Sequence, residues 1–300
     1  MSSQGRSATS SSAHLTAVRH SRFTRNKRGP LVVQAAKARV ESNAVVGAGT
    51  QLLSLVSLEK SPPEYLPGHV LSLSVVGKDG RSARKPYTVS RVPKAGQIQL
   101  LYRVIPEGNA TPLLSALQEG DFVDYEGKFH TPIIEELSDC SKVIGIATGS
   151  GIGPLLGFAE RFLPKEKFFG KRPVKLFAGF RSENDICLHR EMNQLRKRYP
   201  GMFEWKASLT RPPAGWSGLE GRVTSSLPKM LSQETDLRRT HFHLVGNGAM
   251  IKTMQAGLLG AGLSEKQVTT EAFFNFQSQP DTIVVARIIE ELSAAVNEQI

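Results

Sequence analysis

Hydrophobic and polar positions follow two different patterns along this 300-residue chain. Between residue 39 and about residue 125, short segments alternate apolar and polar side chains and are separated by turns rich in glycine and proline. This pattern predicts a small antiparallel barrel or sandwich. The predicted strands are ARVESNAVV, TQLLSLVSLE, HVLSLSVV, PYTVS, QIQLLYRVI and DFVDYEG. One helix is predicted among them, over residues 112–119, with Thr111 as its N-cap and Gly120 at its end.

From residue 142 onward, predicted strands alternate with predicted helices, which is typical of a doubly wound parallel sheet. The strands are VIGIA, VKLFAGF, FEWKASL, HFHLVG and QVTTEAFF, and the helices are PLLGFAERFL, CLHREMNQLRKRY, SSLPKMLSQ and GAMIKTMQAGLLGAG. The last segment, IVVARIIEELSAAVNEQI, predicts an amphipathic helix. We therefore divide the chain into a leader (1–38), a β-barrel domain (39–137), an α/β domain (138–277) and a C-terminal helical extension (278–300).

The formal net charge of +11 is concentrated near the N-terminus. Eight Lys and Arg precede the first carboxylate, Glu41, and the leader is rich in Ser and Thr. This composition is typical of an organelle transit peptide, and the segment VVQAA favours the chloroplast over the mitochondrion. A basic disordered tail is the alternative. The remaining 30 basic and 27 acidic residues give no reason to expect a nucleic-acid partner.

Two further classes of site are not predicted. The chain has two cysteines, too few for the four thiolates of a ferredoxin-type cluster, and no His, Cys or Asp grouping shows metal-ligand spacing. No apolar run reaches the roughly 18 residues of a membrane span.

The segment IATGSGIGPLL places a glycine-rich turn between a predicted strand and a predicted helix. Gly149 and Gly151 allow close approach of the backbone to a ligand, and Thr148 and Ser150 add hydroxyl groups. Together with the helix N-terminus, this arrangement favours binding of a pyrophosphate. An ordinary strand-to-helix connection would have the same appearance.

The segment Lys85-Pro86-Tyr87-Thr88 resembles the Arg-x-Tyr-Ser/Thr flavin motif of the ferredoxin–NADP reductase superfamily. The resemblance implies that Tyr87 lies against the flavin ring, that Thr88 hydrogen-bonds flavin N5, and that residue 85 binds the FAD pyrophosphate. Lys85 replaces the family's arginine, with Arg84 as a candidate substitute and FMN as the alternative flavin. Gly108 and Thr111 resemble the family's Gly-x-x-Ser/Thr loop, which holds the same pyrophosphate.

The second half extends the resemblance, most closely to the bacterial-type reductases. The glycine turn matches their NADP turn, and the implied ligands of the NADPH 2′-phosphate are Arg181, Arg211 and Arg222. Segment VGNGAM resembles the turn under the nicotinamide, with Gly246 and Met250 in contact with the cofactor. In TEAFF, Glu271 is expected near the flavin and Phe273 over its other face.

These expectations describe an FAD-containing NADPH oxidoreductase in which hydride passes to the flavin between two facing domains, with Tyr87, Thr88 and Glu271 as the catalytic residues. Electrons would leave to a separate acidic carrier, ferredoxin or flavodoxin, steered by a basic patch comprising Lys78, Arg81, Arg84, Lys85, Arg91 and Lys94. One alternative is a flavin or quinone reductase with small acceptors. The other is a nucleotide-sensing protein that keeps the fold without turnover.

Overall fold

The alternating segments of the first half close into a six-stranded antiparallel barrel in the computed structural model, which describes residues 35–77, 80–165 and 171–298. Its strands are β1 Ala36–Gly47, β2 Thr50–Ser57, β3 Val70–Val76, β4 Ser82–Arg91, β5 Gln97–Arg103 and β6 Phe122–Glu126. They pair in the order β1-β2-β5-β4-β3-β6. Alternate residues such as Leu53, Leu55, Leu71 and Leu73 fill the interior. The predicted barrel is confirmed.

Strand β1 begins inside the segment that the sequence assigns to the leader. Ala36 pairs with Tyr125 of β6, and Ala38 is fully buried in the barrel core. The boundary at residue 38 is therefore wrong by about two residues, because closing the barrel requires these backbone groups to pair. Residues 1–34 of the leader lie outside the described residues.

The helix between β5 and β6 is shorter than the sequence predicts. Helix α1 is Thr111–Ser115, and its N-cap position is Ala110, which makes no side-chain capping bond. The hydroxyl of Thr111 instead accepts a hydrogen bond from the Ile105 amide at 2.8 Å and donates one to the Ile105 carbonyl at 3.2 Å. Thr111 thus closes the preceding loop, and the predicted capping role is wrong.

The second half forms the predicted parallel sheet, with six strands where five were predicted. Its strands are β7 Lys142–Thr148, β8 Val174–Phe180, β9 Phe203–Leu209, β10 Leu219–Glu220, β11 Thr240–Asn247 and β12 Val268–Phe274. Their order is β10-β9-β8-β7-β11-β12, so the chain reverses its direction of winding between β7 and β11. Ligands of such sheets bind at this switch point, beyond the carboxyl ends of the strands. The two-residue strand β10 was not predicted.

Six helices accompany the sheet in the described residues: α2 Ile152–Phe162, α3 His189–Arg198, α4 Val223–Ser226, α5 Pro228–Leu231, α6 Gly248–Gly260 and α7 Thr282–Asn297. The predicted helix SSLPKMLSQ is two short helices, and Pro228 begins the second of them. Helix α7 packs on α6, where Gly257 leaves room for the fully buried Ile288. The C-terminal helix is therefore part of the core. None of the described helices has the length and apolar character needed to cross a membrane.

Helix α2, which begins after β7 of the sheet, packs against β4 of the barrel. The β4–β5 pairing shifts between Val89 and Arg91, and Ser90 at this bulge is buried. A Cβ on Gly157 of α2 would lie 1.9 Å from the Ser90 carbonyl oxygen, so only glycine permits the approach. Beside it, Arg91 donates two hydrogen bonds to Glu160, at 2.6 and 2.8 Å. The helix that begins after the glycine turn is therefore fixed to the strand that carries Tyr87 and Thr88.

Candidate functional site

Tyr87 and Thr88 lie near the centre of β4, and both are half-buried. The ring of Tyr87 packs on the barrel core and meets Tyr102 edge-on, with ring centroids 6.2 Å apart. Burial raises the pKa of the Tyr87 hydroxyl to about 12, so this residue stays neutral at physiological pH. Tyr87 can therefore present an uncharged aromatic surface at the edge of the barrel.

Thr88 joins the barrel to the sheet. Its hydroxyl donates a hydrogen bond to Oε1 of Glu271 on β12. Glu271 is only 7% exposed, and burial raises its pKa to about 7. The hydrogen bond from Thr88 and the charge of His130 oppose this rise, whereas the charge of Glu136 adds to it. Glu271 can therefore hold or release a proton near neutral pH, at a point where the two domains meet.

Phe273 and Val245 line the same face of the sheet as Glu271. Val245 pairs with Glu271 across β11 and β12 and is fully buried, and Phe273 packs against the same apolar cluster. Leu52 and Leu101 of the barrel belong to this cluster as well. The structure thus places Phe273 beside Glu271 at the boundary between barrel and sheet, while Phe274 turns outward and is exposed.

The glycine turn follows β7 directly. Gly149 has φ +53°, and no atom lies within 4 Å of the position that a Cβ would take there. A Cβ on Gly151 would lie 2.6 Å from the carbonyl oxygen of Val245, so this glycine allows the turn to approach the end of β11. Ser150 is half-buried between them. The turn leads into the N-terminus of α2, which is 11 residues long. Open space beside backbone amides suits a phosphate group.

Thr148 connects this turn to a second glycine turn, which contains Gly246 and Gly248 and lies where β11 leads into α6. Its hydroxyl accepts a hydrogen bond from the Asn247 amide at 2.8 Å. Gly246 has φ +120°, and a Cβ there would lie 2.5 Å from the Thr148 hydroxyl oxygen. Asn247 caps α6 by accepting from the Ala249 amide at 3.0 Å. The two turns therefore form one continuous surface at the switch point.

Met250 does not belong to that surface. It is 6% exposed and packs with Ile251, Met254 and other residues of the core on the opposite face of the sheet. The first turn of α6 directs this side chain into the core, and a contact between Met250 and the cofactor stays a prediction. Gly246 and Asn247 remain at the surface of the turn.

Three arginines lie beyond the ends of three adjacent strands. Arg181 follows β8, Arg211 follows β9, and Arg222 follows β10. The Arg211 amide donates to the Arg181 carbonyl at 2.7 Å, which fixes the first two side by side. All three are exposed, and in the described parts of the chain none of them forms an ion pair. The guanidinium groups are therefore available for an anion, which they bind with planar, paired hydrogen bonds.

The barrel residues that are expected to bind the FAD pyrophosphate differ in their contacts. Lys85 is exposed, and no ion pair of its side chain is found among the described residues. Arg84 points elsewhere: it donates to Ser72 at 2.9 Å and pairs with Glu126. Arg84 is therefore not free to replace the missing arginine at residue 85. Gly108 lies in the loop that Thr111 closes, and its amide donates to the Ile105 carbonyl at 2.9 Å.

Sequence reasoning missed several residues that shape the site. Gly157 sets the approach of α2 to β4, and the spacing of Gly153 and Gly157 in IGPLLGFAE was the available signal. Glu136 and His130, whose charges act on Glu271, lie in the segment between the two domains and carry no motif. Within the described residues, no group of three or more His, Cys, Asp or Glu side chains could hold a metal ion.

Comparison with known proteins agrees with this arrangement. A family model described as "Oxidoreductase FAD-binding domain" matches residues 37–131, and one described as "Oxidoreductase NAD-binding domain" matches residues 146–256. The fold and site thus define a two-domain flavoprotein oxidoreductase. The chain belongs to the ferredoxin–NADP reductase superfamily and carries the FAD-binding and NAD-binding domains of that class.

Individual relatives are distant. NADH-cytochrome b5 reductase 2 of Aspergillus niger is 27% identical over 210 residues, which are 66% of this chain and 63% of that protein. Flavodoxin/ferredoxin–NADP reductase of Shigella flexneri is 26% identical over 186 residues, 59% of this chain and 72% of that one. The chain therefore spans less than two thirds of the fungal relative. A ferredoxin NADP+ reductase from Neisseria gonorrhoeae with bound FAD and NADP has the same fold, with a TM-score of 0.68 and 19% identity over 80% of this chain and 99% of that one.

The described residues fit the two cofactors of this class. The open space at Gly149 and the three unpaired arginines suit a dinucleotide phosphate and its substituents. The half-buried ring of Tyr87 and the hydroxyl of Thr88 suit a flat ring with a polar edge. Lys85 offers the pyrophosphate a single positive charge.

Proposed function

We propose that this protein is an FAD-containing NADPH oxidoreductase that passes electrons from its flavin to a separate carrier, ferredoxin or flavodoxin. The observation that carries the choice of NADPH is the group formed by Arg181, Arg211 and Arg222. They lie at the ends of three neighbouring strands, exposed and without an acidic partner in the described residues. A 2′-phosphate is the feature that distinguishes NADPH from NADH, and guanidinium groups bind phosphate in pairs of hydrogen bonds.

In such a reductase, the barrel residues would contact the flavin and the residues of the parallel sheet would bind the dinucleotide. Bound flavin supplies the redox chemistry, accepting a hydride from the nicotinamide. Tyr87 provides the aromatic wall, and the Thr88 hydroxyl hydrogen-bonds at the polar edge. Glu271 holds a proton beside Thr88. The turn at Gly149–Gly151 binds the dinucleotide pyrophosphate. Helix α2, fixed on β4, keeps both halves in register and excludes water from the contact.

An anaerobic titration tests the nucleotide preference. Purified protein is titrated with NADPH and, separately, with NADH, while flavin absorbance is followed. We expect bleaching with about one equivalent of NADPH and a much higher requirement for NADH. A clear preference for NADH would contradict the role of the three arginines. Colourless protein that does not take up FAD would instead support the nucleotide-sensing alternative.

Two exposed lysines on the barrel support the choice of an acidic electron carrier. Lys85 and Lys94 are exposed, but Arg84 pairs with Glu126 and Arg91 pairs with Glu160, so the patch is less basic than the sequence implies. Lys78 and its neighbour Asp79 lie outside the described residues. The Shigella relative is named for flavodoxin and ferredoxin, and the Aspergillus relative for cytochrome b5.

Steady-state rates measured in parallel with ferredoxin, flavodoxin and cytochrome b5 show which carrier the protein reduces fastest. We expect ferredoxin or flavodoxin to be reduced faster than cytochrome b5, with rates that fall as ionic strength rises. Turnover with a quinone and with no protein carrier would favour the small-acceptor alternative.

Location in the chloroplast is a further part of the proposal, and it rests on the leader's composition alone. Residues 1–34 of the leader lie outside the described residues. Fusion of residues 1–38 to a fluorescent protein tests it in plant cells. We expect plastid fluorescence, and mitochondrial or cytosolic fluorescence would contradict the assignment.

A further inference from the structure

The loop that carries Arg181 contains a buried carboxylate that has no part in the function described so far. This Arg181 loop comprises residues 181–186, between β8 and α3, and Asp185 within it is 8% exposed. Oδ2 of Asp185 accepts hydrogen bonds from the Ser182 amide at 3.0 Å and from the Ser182 hydroxyl at 2.6 Å. The carboxylate therefore holds the residue that directly follows Arg181.

The same carboxylate contacts the barrel. Its second oxygen, Oδ1, lies 3.4 Å from Nη1 of Arg103 at the end of β5. Beside Arg103, the turn between β1 and β2 packs on the Arg181 loop, and the Ala48 amide donates to the Asn184 carbonyl at 2.8 Å. A Cβ on Gly47 would lie only 3.2 Å from the Asp185 carbonyl oxygen. Both backbone and side-chain contacts therefore hold the Arg181 loop against the barrel.

On the side of the sheet, the Arg181 loop is joined to the segment that carries Arg211. The Arg181 carbonyl accepts a hydrogen bond from the Arg211 amide at 2.7 Å and one from the Thr210 hydroxyl at 3.3 Å. These bonds fix the main chain and leave both guanidinium groups exposed. Among the described residues the Arg181 side chain has no ion-pair partner, so the main chain of the loop sets its position.

The charge state of Asp185 suits it to this contact. Burial favours the neutral acid, but the hydrogen bonds from Ser182 and the charge of Arg103 outweigh burial and hold the pKa of Asp185 below its usual range. The Arg103 side chain is 57% exposed, and an ion pair with an exposed partner contributes little to stability. The Arg103–Asp185 pair therefore acts more on the orientation of the loop than on the stability of the fold.

We propose that Asp185 is a positioning residue for the nucleotide, and that it orients Arg181 toward the 2′-phosphate of NADPH by joining the Arg181 loop to the barrel. This inference rests on the proposed function, in which Arg181 binds that phosphate. Asp185 does not bind the phosphate itself, because its oxygens face Ser182 and Arg103 and its charge repels an anion. It holds the loop in place before the nucleotide arrives, which lowers the entropy cost of binding.

Binding of two nucleotide probes to the full-length, FAD-containing protein tests the proposal without turnover. Adenosine 2′,5′-bisphosphate carries the 2′-phosphate and AMP lacks it, and titration calorimetry gives the Kd of each. We expect the wild type to bind the bisphosphate about 100-fold more tightly than AMP, because charged hydrogen bonds to phosphate are strong. Asp185→Asn should reduce this ratio to about tenfold and leave the Kd for AMP unchanged.

Asp121→Asn is the matched control for this substitution. Asp121 also accepts a hydrogen bond from an amide three residues before it, that of Gln118 at 2.8 Å, but it lies just before β6, outside the Arg181 loop. It should leave the ratio of the two Kd values unchanged.

A second pair of variants changes the contact from the barrel side, at an exposed residue whose replacement leaves no buried cavity. Arg103→Gln removes the charge that faces Asp185 and should lower the ratio of the two Kd values, by less than Asp185→Asn does. Arg103→Lys keeps the charge and should restore most of the wild-type ratio.

A double-variant cycle separates positioning from a general loosening of the domain. Because Asp185 acts through Arg181, Asp185→Asn should change the ratio by less than about twofold in an Arg181→Ala background. The same decrease with and without Arg181, or equal losses of affinity for AMP and the bisphosphate, would overturn the positioning role.

The wild-type measurement keeps the failure of this inference apart from the failure of the proposed function. Equal affinities of the wild type for AMP and the bisphosphate would contradict the choice of NADPH, on which the role of Asp185 depends. A wild-type preference for the bisphosphate that both Asp185→Asn and Arg103→Gln leave unchanged would overturn the role of Asp185 alone and leave the proposed function intact.

Discussion

Thr88 of the barrel donates a hydrogen bond to Glu271 of the parallel sheet, across 183 positions of sequence. The contact places a neutral hydroxyl against a carboxyl whose pKa is raised to about 7 by burial. It also fixes the distance between Tyr87, the neighbour of Thr88, and the last strand of the sheet. The proposed electron transfer depends on these two side chains lying at one contact between the domains.

The pH dependence of stability should identify Glu271 as a buried acid. Its pKa rises from an ordinary 4.5 to about 7 on folding, so folding binds a proton between these values. The stabilisation is complete below about pH 4.5 and is lost as the pH rises through 7. Glu271→Gln does not titrate. Urea unfolding from pH 4 to pH 8 should therefore show the wild type losing up to about 3 kcal/mol relative to this variant.

Thr88→Val provides the companion measurement. It removes the hydrogen bond that holds the pKa of Glu271 down, so the loss of stability should shift to higher pH. A difference between wild type and Glu271→Gln that stays constant with pH would show that folding does not shift the pKa of Glu271.

Nucleotide selectivity should change when an arginine of the group is removed. Arg211→Ala should raise the KM for NADPH about 10- to 100-fold, because a charged hydrogen-bond pair to phosphate is lost. The KM for NADH should stay nearly constant, since NADH carries no 2′-phosphate. Arg190→Ala on α3, also exposed, is the matched control. An equal rise for both nucleotides would place Arg211 outside the 2′-phosphate site.

The close approach of α2 to the barrel should make Gly157 intolerant of a side chain. Gly157→Ala places a methyl group 1.9 Å from a backbone carbonyl oxygen, which cannot move aside as a flexible side chain can. We expect a loss of unfolding free energy of about 1–3 kcal/mol. Gly179→Ala is the control, because its nearest neighbour would lie 3.4 Å away. Equal thermal stability of the two variants would mean that α2 adjusts freely on β4.

The C-terminal helix should contribute to stability through its buried side. Ile288 is fully buried against α6, whereas Ile283 on the same helix is 82% exposed. Ile288→Ala should cost about 2–5 kcal/mol of unfolding free energy, and Ile283→Ala less than about 0.5 kcal/mol. Denaturant unfolding of both variants checks this. Similar small losses would show that α7 is only loosely attached to the sheet.

Much of the site could be predicted because it depends on neighbours in sequence. The strand, turn and helix around Gly149 follow from apolar periodicity and glycine, and Arg181 and Arg211 follow strand ends that the same periodicity defines. The differences from the predictions have a common cause. Thr111 is of a residue type that caps helices, but its hydroxyl hydrogen-bonds the backbone of Ile105. Met250 follows a glycine turn, but its side chain packs in the core. In each case a tertiary contact decided between two uses of the same residue.

By itself, the sequence determined the order of the two domains, an antiparallel β domain followed by a parallel sheet with helices, and the positions of the turns. Hydrophobic periodicity and turn chemistry are local properties of the chain. Only the tertiary structure decided that Thr88 meets Glu271, that Gly157 lies against Ser90, and that Arg103 meets Asp185. These contacts join segments far apart in the chain, and their geometry depends on how whole domains pack. Burial, which sets the pKa of Glu271, exists only after that packing is complete.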